Sequence, residues 1–135
     1  MDSLDRPAPA KADVSLRVPA DGAYVSVLRT MTAGLAARLD FTVDDIEDLR
    51  IAVGEACALV LPEAVDGSDL EAEFRLMPGT LMVSVSVATD GQRSADEDSF
   101  AWQVLTTLTG TASTASDGSR FGVTFTTESS IPVTG

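Results

Sequence analysis

Thr42–Leu61 reads TVDDIEDLRIAVGEACALVL and has the features of one complete amphipathic helix. Thr42 is a good N-cap, and the acidic side chains of the first turns lie where the helix dipole favours negative charge. Apolar residues recur at intervals of three and four, which predicts a buried stripe of Ile46, Leu49, Val53, Ala56 and Val60. The pattern predicts a helix over Val43–Leu61 that Pro62 ends, and this helix decides the fold because the other elements must cover its stripe.

The residues before this helix predict a strand and another helix. Residues 14–18 alternate between apolar and polar side chains, as in a half-buried strand that Pro19 ends. After the turn at Asp21-Gly22, apolar residues recur with helical spacing up to an end near Asp40. The predicted buried stripe of this helix is Tyr24, Leu28, Met31, Leu35 and Leu39.

The residues after the central helix predict a hairpin, a short helix and a last strand. Residues 70–77 and 81–87 lie on either side of the turn signal Pro78-Gly79, which predicts two antiparallel strands. Beyond a polar and acidic loop, Ser99–Leu108 has helical periodicity. Its predicted apolar residues are Phe100, Val104 and Leu108, with Trp102 and Leu105 beside them. Alternation over residues 121–125 predicts the last strand, and a weak strand or loop precedes it.

This order of elements predicts an α+β fold. We expect a two-layer α/β sandwich in which a mostly antiparallel sheet is covered on one face by three helices. With 135 residues, of which 44% are apolar, the chain fits one domain with a real hydrophobic core. We expect that domain over residues 14–128, with a disordered tail over 1–13 and a frayed tail over 129–135.

The composition excludes several classes of function. The chain has no histidine and one cysteine, Cys57, so a zinc site, a Ser-His-Asp triad and a Cys-His pair are excluded, and we expect no metal site. A net charge of -12 repels nucleic acid and anionic membranes and favours a basic partner, although acidity also serves solubility alone. Because there is no secretory signal and no apolar run of ~20 residues, we expect a cytoplasmic protein.

The segment Asp48–Cys57, which reads DLRIAVGEAC, resembles the first nucleotide-site helix of the RsbW-type anti-sigma factors. These proteins are serine kinases of the GHKL (Bergerat-fold) ATPase superfamily. The preceding helix, the hairpin and the later segment SFAWQVL follow the order of elements in that family, so the resemblance spans residues 14–127. The later segment is most similar to the divergent actinobacterial members. The resemblance implies a Bergerat-like version of the predicted sandwich.

The resemblance also implies a nucleotide-binding site, from which this sequence departs at three positions. Glu55 matches the family's glutamate, which orients or deprotonates the attacking hydroxyl. Four residues later the family has an asparagine that binds the Mg²⁺ held by the ATP phosphates. Residues at i and i+4 lie on one helical face, so both side chains reach the same phosphate region. Here that position is Leu59, and leucine offers no oxygen to a hard cation.

The other two signatures are also altered. In the family an Asp-x-Gly strand end reads the adenine amino group with its carboxylate, and its glycine lets the base approach. The best match puts Gly91 on that glycine and Thr89 in place of the aspartate. A shift by one residue makes Asp90 the carboxylate, but then Gln92 replaces the glycine. The family's Gly-rich phosphate turn corresponds to residues 97–102, which have no glycine and begin with two acidic residues.

Taken with the family's activity, these departures predict an anti-sigma factor with little or no ATP binding or kinase activity. The resemblance implies that it sequesters an alternative RNA polymerase sigma factor, whose basic surfaces suit an acidic binder, and that a STAS-type anti-anti-sigma factor releases it. Homodimers are common in the family. In the family the first helix lies near the sigma and antagonist contacts, so Arg29 and Arg38, which we expect to be exposed, are predicted to contact partners. We expect no cofactor, and Mg-ATP only for an active kinase. We also expect no direct nucleic-acid contact and no membrane contact.

Two alternatives remain open from the sequence. The chain is an active ATP-dependent serine kinase that phosphorylates the STAS antagonist, with Glu55 as general base. Otherwise it is an unrelated acidic α/β protein-interaction module, in which Glu55 is a solvated residue on the polar side of its helix. In either case Cys57 fits a small buried hydrophobe and Trp102 fits a core or interface anchor.

Overall fold

A computed structural model describes residues 12–131 of the chain, which form one antiparallel sheet with three helices on one of its faces. The strands are β1 (Val14–Pro19), β2 (Asp69–Met77), β3 (Thr80–Ala88), β4 (Thr111–Ser116) and β5 (Arg120–Glu128). The helices are α1 (Val25–Arg38), α2 (Val43–Val60) and α3 (Phe100–Leu108). Short 3-10 turns at Gly22–Tyr24 and Leu61–Glu63 precede α1 and follow α2.

The sheet has the strand order β1-β2-β3-β5-β4, and every neighbouring pair is antiparallel. Helix α2 lies over the central strands β3 and β5, α1 packs on one side of it, and α3 packs on the other side beside β4. The predicted two-layer α+β sandwich is therefore confirmed. The domain bounds 14–128 stay a prediction, and most of the two predicted tails lies outside the described residues.

Helix α2 begins directly after its N-cap Thr42 because local hydrogen bonds hold its first turn. The Thr42 hydroxyl accepts a bond from the Asp45 amide at 3.1 Å, and the Asp45 carboxylate accepts one from the Thr42 amide at 3.2 Å. Asp45 also accepts bonds from the amide and hydroxyl of Ser130 at 3.0 and 2.9 Å. Burial acts to raise the pKa of Asp45, but the bonds from Ser130 and Thr42 outweigh it and hold that pKa below its usual value.

The hydrophobic core lies between the inner face of the sheet and α2. The predicted stripe of α2 is buried from Leu49 to Val60, with Ala52 and Cys57 beside it, whereas Ile46 is only partly buried. Phe74, Phe121 and Phe125 fill the sheet side of the core. Among the described residues, no helix is both long and apolar enough to cross a membrane.

The stripe predicted for α1 is partly wrong. Leu28 is buried as predicted, but the helix buries Thr32 and Ala36 beside it, and Tyr24 is 40% exposed. Thr32 tolerates burial because its hydroxyl donates to the Leu28 carbonyl one turn earlier, at 2.7 Å. The buried side chains Thr32 and Ala36 are small, and one of them is polar, so apolarity alone does not identify the packed face.

The apolar face predicted for α3 is also partly wrong. Only Leu105 is buried in this helix, and Phe100 is 78% exposed. Helix α3 lies at the end of the helical layer, with α2 on one side and the edge strand β4 beneath. No described element covers its far side, which leaves apolar side chains partly in solvent.

Candidate functional site

Glu55 and Leu59 lie one turn apart on α2 but face different surroundings. Glu55 is half-buried and lines a cavity of about 280 Å³ with Arg29, Glu47, Arg50 and Ile51. Among residues 12–131 its carboxylate has no hydrogen-bond or ion-pair partner. Leu59 is partly buried and packs against the hydrophobic core. The carboxylate is therefore accessible, and the side chain one turn further on carries no metal-ligating atom.

Arg29 lies across α2 at Gly54. If Gly54 had a Cβ, that atom would be 2.5 Å from the Arg29 Nη2, so only glycine allows this approach. Arg29 is consequently half-buried, not fully exposed as its place off the apolar stripe predicts. Arg38 is exposed in the last turn of α1, where a cation complements the helix dipole. Nine residues, or about two and a half turns, separate the two arginines, so they lie on opposite sides of α1.

The strand end after β3 does not offer a free carboxylate in either register. Thr89 is buried, its hydroxyl donates to the Gly91 carbonyl at 2.9 Å, and its amide donates to the Ser119 carbonyl at 2.9 Å. The Asp90 side chain is 80% exposed and forms an ion pair with Arg93, with 2.6 Å between Oδ1 and Nη2. The space beside Gly91 is also occupied, because a Cβ there would be 3.1 Å from the Arg93 Nη1.

The sequence-based prediction missed Arg93, which joins the loop after β3 to the end of α2. Its Nε lies 2.8 Å from the Glu63 carboxylate, in the 3-10 turn that follows α2. Its Nη1 donates to the Gln92 carbonyl at 2.9 Å, and its amide donates to the Ser116 hydroxyl at 2.9 Å. One signal was available in the sequence: Arg93 is the single cation in the acidic stretch 89–98.

The turn before α3 is closed by the protein's own groups. The Ser99 hydroxyl accepts a bond from the Trp102 amide at 3.2 Å and so caps the helix. The Asp96 side chain and carbonyl accept bonds from the Asp98 and Ser99 amides, both at 3.0 Å. Glu97 and Asp98 are exposed in this turn. The turn therefore has N–H groups that are already hydrogen-bonded and carboxylates beside them, which is the opposite of what a phosphate site requires.

Cys57 lies in the core beneath this surface. Burial raises the pKa of its thiol to about 12, and the positive charge of Arg29 acts weakly in the opposite direction. The thiol is therefore neutral at physiological pH and packs as a small apolar group, as the sequence predicts.

Comparison with known proteins gives both sequence and structural relatives. The serine-protein kinase RsbW of Halalkalibacterium halodurans is 39% identical over 88 residues, which cover 64% of this chain and 52% of that protein. The serine-protein kinase RsbW of Bacillus thuringiensis strain Al Hakam is 35% identical over 75 residues, covering 54% and 47%. This chain thus spans about half the length of the curated relatives it matches. No protein-family model matches it.

A solved structure has the same fold. The crystal structure of the RsbU and RsbW domains of a Mycobacterium tuberculosis protein aligns with a TM-score of 0.64 and 17% identity, covering 93% of this chain and 34% of that one. The five-stranded antiparallel sheet with three helices on one face is therefore a fold that this chain shares with the solved structure. Together with the sequence relatives, this fold supports an RsbW-type anti-sigma factor and serine kinase family for the chain.

Proposed function

We propose that this protein is an anti-sigma factor that sequesters an alternative RNA polymerase sigma factor, is released by a STAS-type antagonist, and has little or no ATP binding or kinase activity. The observation that carries the second part is Leu59, which packs on the core where the family has its metal-ligating asparagine. Without that oxygen ligand, Glu55 has no Mg²⁺-ATP beside it on which to act.

The loop after β3 supports the same proposal. The Thr89 hydroxyl already donates to the Gly91 carbonyl and the Asp90 carboxylate is paired with Arg93, so binding an adenine amino group would compete with bonds within the loop. Arg93 occupies the space beside Gly91 that a base would need. Two carboxylates, Glu97 and Asp98, precede α3 where phosphates would bind, and they repel a polyphosphate.

The charge distribution supports a protein partner on the helical layer. The net charge of -12 attracts a basic protein surface. Within the described residues, Arg29, Arg38 and Arg50 have no ion-pair partner, whereas Arg17, Arg93 and Arg120 have carboxylate partners. Exposed apolar side chains lie on both α1 and α2, at Val27 and Ile51. Unpaired arginines beside exposed apolar residues are typical of interface hot spots.

A second candidate function is an active serine kinase on the STAS antagonist. Two observations favour it: the curated relatives are named serine-protein kinases, and the accessible Glu55 is the residue type a general base requires. In that case the metal needs ligands other than residue 59.

Affinity capture from the native cells tests the two functions together. We expect a sigma factor to co-elute with the chain equally with and without Mg-ATP, and a STAS protein to displace it. We expect no phosphate transfer from labelled ATP to that STAS protein. Transfer that is lost in Glu55→Ala but retained in Glu47→Ala, which alters the same cavity, would establish the kinase. Eluates that contain no sigma factor would contradict the anti-sigma role.

A further inference from the structure

The guanidinium of Arg93 is bonded on every nitrogen by the protein itself. Its Nε lies 2.8 Å from Glu63, its Nη2 lies 2.6 Å from Asp90, and its Nη1 donates to the Gln92 carbonyl at 2.9 Å. A planar group with three bonded corners holds its partners in fixed geometry, unlike the point charge of a lysine. We call Arg93, Glu63 and Asp90 the arginine clamp.

The arginine clamp spans two parts of the chain that are distant in sequence. Glu63 belongs to the turn after α2, and Asp90 belongs to the loop after β3. The Arg93 amide adds a third attachment, to Ser116 at the end of β4. The Arg93 and Glu63 side chains are only 30% and 36% exposed, so these two charges attract each other more strongly than fully solvated ones do. The clamp therefore ties the loop to both α2 and the sheet.

The arginine clamp places the Arg93 guanidinium in the space beside Gly91. The Arg93 Nη1 stands 3.1 Å from where a Cβ of Gly91 would be. The planar, cationic guanidinium of Arg93 thus lies against Gly91, which matches the glycine beside which the family binds adenine. Because the guanidinium is hydrogen-bonded by the protein itself, this space is occupied without any ligand.

We propose that Arg93 fills the space beside Gly91 in which the family binds the adenine base. Through this contact Arg93 holds the loop 89–99 against the end of α2 in the absence of nucleotide. Arg93 is then a positioning residue, and the surface formed by this loop has one shape whether or not ATP is present. The inference rests on the proposed loss of the nucleotide site. Its test uses the isolated chain, so it fails or succeeds separately from sigma-factor capture.

Amide hydrogen exchange of the isolated chain tests this proposal. In Arg93→Ala we expect the amides of residues 89 and 93 to exchange about tenfold faster, since charge-assisted bonds to two carboxylates are lost. Amides of the central strand β3 should be unchanged, which shows that the fold persists. Arg17→Ala is the matched control, because it removes an arginine paired with Asp69 and Glu71 away from the loop.

Chemical rescue distinguishes an occupant from a merely structural residue. Millimolar methylguanidinium should slow exchange at residues 89 and 93 in Arg93→Ala and leave the unmodified chain unchanged, whereas methylammonium should have no effect. Glu63→Gln should accelerate the same amides, with no further acceleration in the double variant. The proposal is overturned if Arg93→Ala exchanges like the unmodified chain, if methylguanidinium does not rescue it, or if Mg-ATP slows loop exchange in the unmodified chain.

Discussion

The Phe125→Ala variant is expected to lose about 3–5 kcal/mol of unfolding free energy, which is the largest effect we predict for a single substitution. Phe125 is fully buried on β5, where it is in register with Val83 of β3 and Ala112 of β4. Removing its ring leaves a cavity between the sheet and the helices, because neighbouring strands are held by their ladder hydrogen bonds and cannot close it fully. Urea unfolding followed by circular dichroism measures the loss.

Phe100→Ala is the matched control, since it makes the same chemical change at a residue that is 78% exposed. We expect its unfolding free energy to stay within about 0.5 kcal/mol of the unmodified chain. Equal losses in the two variants, or a loss below about 1 kcal/mol in Phe125→Ala, would show that the core does not lie between the sheet and α2.

Arg29→Ala is expected to weaken capture of the sigma factor by about 30-fold, as for an arginine hot spot of roughly 2 kcal/mol. Arg29 lacks an ion-pair partner among the described residues and lines the cavity between α1 and α2. A partner carboxylate placed there would gain a half-desolvated charge pair. Arg38→Ala should have a smaller effect, because an exposed charge is well solvated before binding. Titration of labelled sigma factor by fluorescence anisotropy measures both.

Gly54→Ala tests the same contact without removing the arginine. The new Cβ would meet the Arg29 Nη2 at 2.5 Å, so the flexible guanidinium must move away. Alanine is favoured over glycine inside a helix by about 0.5–1 kcal/mol, so stability should not fall. We therefore expect weaker sigma binding in a variant at least as stable as the unmodified chain. If Gly54→Ala and Arg29→Ala both bind as tightly as Arg17→Ala, the α1–α2 surface does not hold the partner.

The elements of the fold were predictable where local signals determine them. Helix α2 has its cap, its charge pattern and its periodicity within twenty consecutive residues, and the structure ends it one residue before the predicted end. The faces of α1 and α3 were not predictable in the same way. Thr32 is buried because its hydroxyl bonds within the helix, and Phe100 is exposed because α3 lies at the end of its layer. Neither fact depends on periodicity.

Strand β4 illustrates the same limit. Its sequence, TASTAS, has no alternation of apolar and polar residues, so it predicts only a weak strand or loop. It forms because β5 offers a complete set of partners along Thr111–Ser116. Backbone hydrogen bonds to β5 stabilise β4 as a strand, although the side-chain pattern of β4 does not indicate one.

The candidate site was predictable only in part, for a similar reason. The spacing of Glu55 and Leu59 is a local property of one helix, so their common turn followed from the sequence. The contact of Arg93 with Glu63 joins residues thirty positions apart, and no spacing rule identifies such a pair. Likewise, the approach of Arg29 to Gly54 depends on how closely α1 packs on α2.

Isothermal titration of the purified chain with Mg-ATP is the most direct test of the central claim, that a Bergerat sandwich is kept while its nucleotide chemistry is lost. The proposed cause is that Leu59 stands in place of a metal ligand and that Arg93 fills the space beside Gly91. We predict no saturable heat at nucleotide concentrations up to the millimolar range. Saturable binding with a micromolar dissociation constant, which corresponds to a binding free energy of about -8 kcal/mol, would contradict the account.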